Sequence, residues 1–109
     1  MSRTVRAPAP AGRISVIVAI HNAWRATARC LESLAEHGGP PHRVLLMNDA
    51  STDPRIAPLL ADAVGANRHF TVHENARNLG YTRTINRGCE LAGRDDVVLL
   101  NSDTRVTAG

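Results

Sequence analysis

This 109-residue sequence contains no lysine: all 13 of its basic residues are arginine, scattered along the chain. Aromatic residues are also scarce, with one Phe, one Tyr and one Trp. Nucleic-acid-binding proteins usually cluster basic residues on one face and interleave them with aromatic side chains. Despite the formal net charge of +3, the composition therefore argues against a nucleic-acid partner.

Long hydrophobic runs are missing as well. The longest apolar run is Val16 to Ile20, far short of the roughly 20 residues that a transmembrane helix needs. The first residues are rich in Arg and Pro and contain no apolar segment of a secretory signal. The sequence predicts a disordered basic leader over residues 1–13 and one domain over 14–109.

The sequence contains two cysteines, Cys30 and Cys89, and no CxxC motif or zinc-type spacing occurs. Both fall in predicted helices, which favours reduced core residues of a cytosolic protein. No P-loop and no G-x-G-x-x-G is present, which argues against triphosphate hydrolysis and standard dinucleotide binding.

What is present is an alternation of four strand-like and three helix-like segments. Strands are predicted at 14–20, 43–47, 70–73 and 96–100, the third near a sheet edge. A first helix begins after a capping Asn22 and ends at Gly38, and two more are predicted at 56–64 and 82–92. The first helix is expected to bury a stripe made of Thr27, Cys30, Leu31, Leu34 and Ala35. This order predicts an α/β fold: a Rossmann-like parallel sheet with flanking helices.

Polar residues follow every predicted strand, namely His21-Asn22, Asn48-Asp49, Asn75 and Asn101-Ser102-Asp103. The carboxyl ends of parallel strands share one edge of the sheet, which is where open α/β sheets bind ligands. The sequence therefore predicts a single site built from these four clusters.

Acidic residues in these clusters allow two interpretations each. Asp103, with the amide oxygen of Asn101, suits Mg²⁺ or Mn²⁺ if phosphates supply other ligands, but a strand-end Asp also caps turns. Asp49 can accept hydrogen bonds from a nucleobase N–H or a ribose hydroxyl, or serve in a turn. For Asp53, followed by Pro54, the start of the second helix is favoured, with Ser51 as the other candidate cap.

Residues 78–88 join a glycine turn to the start of a helix, a pattern typical of an anion site, with Arg83 placed to reach a phosphate. Arg83 also fits an ordinary solvated helix face. No Ser or Cys nucleophile elbow accompanies His21, so a polar contact at the strand end is the favoured role for this residue.

Together these segments resemble the amino-terminal half of a family 2 glycosyltransferase with the GT-A fold. Residues 14–22 look like the family's first strand and its Pro-Val-Tyr-Asn turn, and 47–53 look like its Asp-Asp-Gly-Ser-Thr-Asp segment. Residues 78–88 are similar to its Asn-x-Gly…Asn-x-Gly helix, and 100–104 to its metal-binding D-x-D segment. The last of these is most similar to the rhamnosyltransferase-type branch.

The resemblance implies that the chain binds a nucleotide-sugar donor, with dTDP-rhamnose or a UDP-sugar expected, and transfers the sugar with inversion. It implies Mn²⁺ or Mg²⁺ on Asp103 and Asn101. It also implies a donor site composed of Ile20, His21, Asn22, Asp49, Asn78, Gly80, Arg83 and Ser102. Three departures affect it: Asn48 and Asn101 each replace an Asp, and Ala19-Ile20-His21 replaces Pro-Val-Tyr.

The family's catalytic base, an Asp or Glu, and its acceptor site belong to the second half, beyond Gly109, so little or no transfer by this chain alone is expected. The resemblance also implies a glycan or lipid-linked acceptor of the cell envelope. It implies a cytoplasmic protein, or one that is peripheral at the inner face of the membrane. A homo-oligomer or a completing polypeptide is compatible with it. A non-catalytic nucleotide-binding or interaction module is the alternative. A receiver domain is disfavoured because it requires a lysine.

Overall fold

The computed structural model of the protein describes residues 13–37 and 42–102. In chain order its elements are β1 (Ile14–Ile20), α1 (Trp24–His37), β2 (Arg43–Asn48), α2 (Ile56–Ala66), β3 (Phe70–Glu74), α3 (Tyr81–Ala92) and β4 (Asp96–Asn101). The predicted α/β class and element order are confirmed. β2, β3 and β4 each run one residue beyond the prediction, because their last polar residues still pair in the sheet, as Asn48 does with Ile20.

All strand pairs in the described part are parallel, in the order β3-β2-β1-β4. The chain winds outward from β1 to β2 and β3, then returns through α3 to the other side of β1. Open α/β sheets bind ligands at such a reversal of winding, outside the carboxyl ends of the strands. Here the reversal lies between β1 and β4. The expectation of β3 at an edge is confirmed.

Alternating side chains of the sheet build two cores. Val18, Leu46 and Phe70 face α1 and α2 in the larger one, while Ile17, Leu45 and Val97 face α3 in the smaller one. β1 is buried on both faces, as its mostly apolar sequence, rich in β-branched residues, predicts. The single helix on the second face leaves Thr71 of β3 exposed there.

Two local predictions for α1 are wrong. Asn22 does not cap the helix, which begins at Trp24, because its side chain bonds instead to the loop after β2. Ala35 is exposed, although Thr27, Cys30, Leu31 and Leu34 are buried as predicted. Cys30 is buried and Cys89 half-buried, and no disulfide joins them.

Several predictions concern other parts of the chain. The leader over 1–12 and Asp103 lie outside the described residues. Arg13 is the last residue of the predicted leader and the first residue that the structure describes. Its Nε donates to Oδ1 of Asp95 at 3.0 Å. None of the helices in the described ranges combines the length and apolarity required to span a bilayer.

Two glycines in helices are expected to respond in opposite ways to substitution by alanine. A Cβ on Gly88 would lie 2.5 Å from Cγ2 of Ile17, whose side chain is fully buried, whereas a Cβ on Gly65 meets nothing within 4 Å. Gly88→Ala should lower the free energy of unfolding by about 1–2 kcal/mol, overpacking outweighing the better helix propensity. Gly65→Ala should raise it by about 0.5–1 kcal/mol. Urea unfolding of both variants measures the difference, and equal effects would contradict this packing of α3 on β1.

Candidate functional site

A cleft of about 260 Å³ opens at the carboxyl end of the sheet, at the reversal between β1 and β4. The ends of these two strands form its floor, and the first turn of α3 forms one wall. Its lining consists of Ala19, Ile20, His21, Ala23, Asp49, Tyr81, Thr84, Asn101 and Ser102. The structure therefore brings together the ends of β1, β2 and β4, as the sequence predicts.

Asp49, directly after β2, is 4% exposed, and its carboxylate accepts three hydrogen bonds from other parts of the chain. Oδ1 accepts from the backbone N–H of Leu79 at 2.7 Å and from Nδ2 of Asn75 at 2.9 Å. Among the described residues, Oδ2 accepts only from the N–H of Gly80, at 2.9 Å. Burial raises the pKa of Asp49. The hydrogen bonds from Leu79, Asn75 and Gly80 and the nearby His21 lower it by more than burial raises it, so the pKa lies below its ordinary value. The carboxylate is thus held ionised, and a carboxylate oxygen with a single donor has room for one more.

Asn75 joins this carboxylate to α3. Its Nδ2 also donates to Oγ1 of Thr84 at 2.9 Å, and its Oδ1 accepts from Nη1 of Arg87 at 2.6 Å. Both Asn75 and Thr84 are buried. Because buried polar groups must be paired, this junction fixes the start of α3 against the ends of β2 and β3.

The glycine turn before α3 is an anion site, as its sequence predicts, but the anion that its N–H groups bind is the chain's own Asp49. Gly80 has φ +87°, which a glycine adopts without strain. Arg83, in the first turn of α3, is exposed, and its side chain makes no hydrogen bond within the described residues. Its side chain therefore remains available to a phosphate.

His21 lies at the cleft and donates from Nδ1 to the backbone oxygen of Asp49 at 2.7 Å. Nδ2 of Asn78 is 3.2 Å from one ring nitrogen and 3.3 Å from the other. Such nearly equal distances place the amide over the ring face rather than in its plane. The predicted polar contact of His21 is thus made to the loop after β2 and faces the amide of Asn78 in the loop before α3.

Asn22 is the residue that fastens the β1–α1 turn to the β2–α2 loop. Its Oδ1 accepts from the N–H groups of Thr52 and Asp53, both at 2.8 Å, and its N–H donates to Oγ of Ser51 at 2.8 Å. Asn22 and Ala23 both have positive φ, a strained conformation for non-glycine residues that is typical of functional turns. Asn22 therefore shapes the cleft, and Ser51 is not a helix cap.

Asn48 stands where the resembled family has an acidic residue, and it faces away from the cleft. Its Nδ2 donates to Oε1 of Glu74 at 2.9 Å, and its Oδ1 accepts from the N–H of Ser51. Ile20 lies at the floor of the cleft, but it is fully buried in the core under α1 and α2.

Asn101 ends β4 as an exposed residue in the cleft, and the half-buried Ser102 follows it. Both offer hard oxygen ligands, and the sequence places the carboxylate of Asp103 next. One carboxylate with amide and hydroxyl oxygens fits Mg²⁺ or Mn²⁺ when phosphates complete the shell. Within the described ranges, no group of three or more His, Cys, Asp or Glu side chains could hold a metal by itself.

Four lining residues were not predicted from the sequence: Ala19, Ala23, Tyr81 and Thr84. Ala19 and Ala23 have side chains too small to signal a role. Tyr81 and Thr84 share the helical spacing of i and i+3, which places them on one face of α3. That spacing, next to a glycine turn, was the signal that could have identified them.

Comparison with known proteins points to one family. A family model described as Glycosyl transferase family 2 matches residues 15–109. EpsH of Bacillus subtilis (strain 168), which carries the name of a glycosyltransferase, is 29% identical over 92 residues, which are 83% of this chain and 26% of EpsH.

Two solved structures share the fold. S. aureus TarS, crystallised with UDP-GlcNAc, superposes with a TM-score of 0.76 at 23% identity, over 88% of this chain and 28% of that one. Mannosyltransferase PcManGT from Pyrobaculum calidifontis, in complex with GDP-Man and Mn²⁺, gives 0.74 at 21% identity, over 85% and 28%. The chain spans between a quarter and a third of the length of these relatives.

Proposed function

This chain belongs to glycosyl transferase family 2, and from that membership we propose that its cleft binds the nucleotide diphosphate of a sugar donor. The sugar is then transferred to an acceptor hydroxyl with inversion. The observation that carries the proposal is the cleft itself: it lies where the winding of the sheet reverses, between a buried carboxylate after β2 and oxygen ligands after β4.

Asp49 suits the base of the donor. Its Oδ2 has room for one further hydrogen-bond donor, and uracil and thymine each present a single imide N–H. Guanine presents an N–H together with an amino group, so its recognition would require two hydrogen-bond acceptors. We therefore propose a UDP- or dTDP-sugar, with dTDP-rhamnose as one candidate, and Asn22 and Asn78 as residues that shape the base site.

The diphosphate is proposed to lie toward β4, where Asn101, Ser102 and Asp103 would hold Mn²⁺ or Mg²⁺. When bound, the cation offsets negative charge on the departing diphosphate. Arg83 contributes a permanent positive charge and a planar pair of donors to the same phosphates. His21, Ile20 and Gly80 are proposed to lie along the remaining path between base and phosphates.

The acceptor and the general base are proposed to come from another polypeptide segment or subunit. Among the lining residues of the cleft in the described part, Asp49 is the one carboxylate, and three hydrogen bonds already hold it. General-base catalysis contributes roughly 10²–10⁴-fold to rate, so this half alone should transfer slowly. We propose a cell-envelope glycan or lipid-linked acceptor at the cytoplasmic face of the membrane.

Titration of UDP and dTDP into the 109-residue chain tests the donor site. With Mn²⁺ present, binding should be measurable by calorimetry, and EDTA should weaken it at least about tenfold, because phosphate ligation through the cation is lost. Asp103→Ala should weaken binding in Mn²⁺ to the level seen in EDTA. The matched control is Asp62→Ala, an exposed residue of α2 outside the cleft, which should bind like the wild type.

Failure of a folded, monodisperse sample to bind either nucleotide in Mn²⁺ would overturn the proposal. The same fold would then serve as an interaction module. Binding that EDTA leaves unchanged would retain the nucleotide site and reject the assignment of Asn101 and Asp103 to a metal.

A further inference from the structure

Tyr81 and Leu91 are the two large hydrophobic side chains that the described part of the protein exposes, at 48% and 41%. They lie at opposite ends of α3, and only Tyr81 lines the cleft. It is the single tyrosine of the sequence. Ligand sites combine aromatic walls with a few well-placed polar groups, so an exposed aromatic ring inside such a cleft indicates a surface on which a ligand packs.

The backbone on both sides of Tyr81 is held in place. Before it, the N–H groups of Leu79 and Gly80 donate to Asp49, and after it the N–H of Thr84 donates to the oxygen of Gly80 at 3.1 Å. Thr84 is buried and bonded to Asn75. The ring therefore starts from a preorganised helix turn, which reduces the entropy lost when a ligand packs on it.

Tyr81 directly follows Gly80, whose backbone N–H donates to Asp49, and Tyr81 and Asp49 line the same cleft. His21, the other ring in the cleft, has one face covered by the amide of Asn78. The side chain of Tyr81 makes no hydrogen bond or ring contact within the described residues. Its ring face and hydroxyl are thus available to whatever group Asp49 binds.

We propose that Tyr81 is a base-binding residue of the donor site: its ring stacks on the pyrimidine base whose imide N–H is accepted by Asp49. This inference rests on the proposed function and adds a residue to it. Hydrogen bonding to Asp49 uses the edge of the base, whereas stacking on Tyr81 uses its face, so the two contacts are compatible. A planar base is preferred over a puckered sugar for this position because a flat ring matches a flat ring over its whole area.

Calorimetry with two probes separates this role from the rest of the site. UDP contains the base, and inorganic pyrophosphate lacks it. Tyr81→Leu keeps an apolar side chain but no ring, and it should weaken UDP binding about 5- to 100-fold while pyrophosphate binding stays the same. Tyr81→Phe should bind UDP within about twofold of the wild type. Leu91→Ala, at the far end of the same helix, is the matched control and should change neither.

Saturation-transfer NMR gives a second readout from the one tyrosine. Irradiation of ring protons in protein whose only protonated aromatic is Tyr81 should transfer magnetisation to H5 and H6 of the uracil more strongly than to the ribose. Wild-type UDP binding with no loss in Tyr81→Leu, or transfer confined to the ribose, would overturn this inference and leave the donor site standing. No UDP binding by the wild type would instead remove the proposed function and, with it, this inference.

Discussion

Replacing Asp49 by asparagine should lower the free energy of unfolding by about 3 kcal/mol. The buried carboxylate accepts three hydrogen bonds, from Asn75 and from the N–H groups of Leu79 and Gly80. An asparagine has one oxygen, so whichever way its amide is turned, its NH₂ group faces at least one of these donors. A buried donor left unpaired costs about 1–3 kcal/mol, and loss of the charged acceptor weakens the remaining bonds.

Urea unfolding measures this loss, and amide hydrogen exchange locates it. The N–H groups of Leu79 and Gly80 should exchange faster in Asp49→Asn, while amides in the middle of β1 change only in proportion to global stability. The same substitution should weaken UDP binding about 10- to 100-fold, because the turn before α3 and the acceptor for the base are both altered.

Asp53→Asn is the matched control on the same edge of the sheet. Hydrogen bonds from the side chain and backbone of Arg55 lower the pKa of Asp53 to about 2, but this pair is exposed to solvent, where ion pairs contribute little. Its stability and nucleotide affinity should stay close to those of the wild type. Equal losses in Asp49→Asn and Asp53→Asn would contradict this prediction, because they would show that the buried contacts of Asp49 contribute no more than the exposed ion pair of Asp53.

The sequence predicted the elements and the edge of the sheet well, because both depend on local patterns. Continuous β-branched runs identify buried strands such as β1, and parallel strands have no choice but to gather their carboxyl ends at one edge. Helix ends also follow local chemistry where glycine is involved: Gly93, with φ +64°, ends α3 within one residue of its predicted end.

The partners of the polar residues could not be predicted, because they are distant in the sequence. Asn is a residue type that often caps helices, yet the side-chain oxygen of Asn22 accepts hydrogen bonds from Thr52 and Asp53, which lie 30 and 31 positions further along the chain. Asp49 is predicted from the sequence to bind a ligand or to serve in its own local turn, yet it binds the turn before α3, 30 and 31 positions away. Both outcomes depend on which loops the sheet order places side by side. That order, β3-β2-β1-β4, is a property of the whole fold and not of any one segment.

Asp95 provides the second large expected effect, at the opposite edge of the sheet. Asp95 is 3% exposed. Its Oδ2 accepts from Oγ of Ser15 at 2.7 Å and from Nε of Arg43 at 3.1 Å, and its Oδ1 accepts from Nε of Arg13. Arg43 also donates to the backbone oxygen of Ala92. This carboxylate therefore joins β1, β2 and the end of α3. Asp95→Asn should cost about 2–4 kcal/mol, because it leaves two guanidinium groups beside a neutral amide.

The pH dependence of that loss identifies its origin. Burial raises the pKa of Asp95, but the hydrogen bonds from Ser15 and Arg13 and the charge of Arg43 outweigh it, so the pKa in the folded state lies below its value of about 3.9 in the unfolded chain. The folded state then binds fewer protons, so the stabilisation is complete above the unfolded pKa and is lost as the pH falls through and below about 4. The difference in unfolding free energy between wild type and Asp95→Asn should therefore be constant from pH 7 to about pH 5 and shrink toward pH 3. Asp62→Asn, an exposed carboxylate of α2, should give a difference near zero throughout. A gap for Asp95→Asn that stays the same at pH 3 would mean that the shape of the side chain, and not its charge, holds the three elements together.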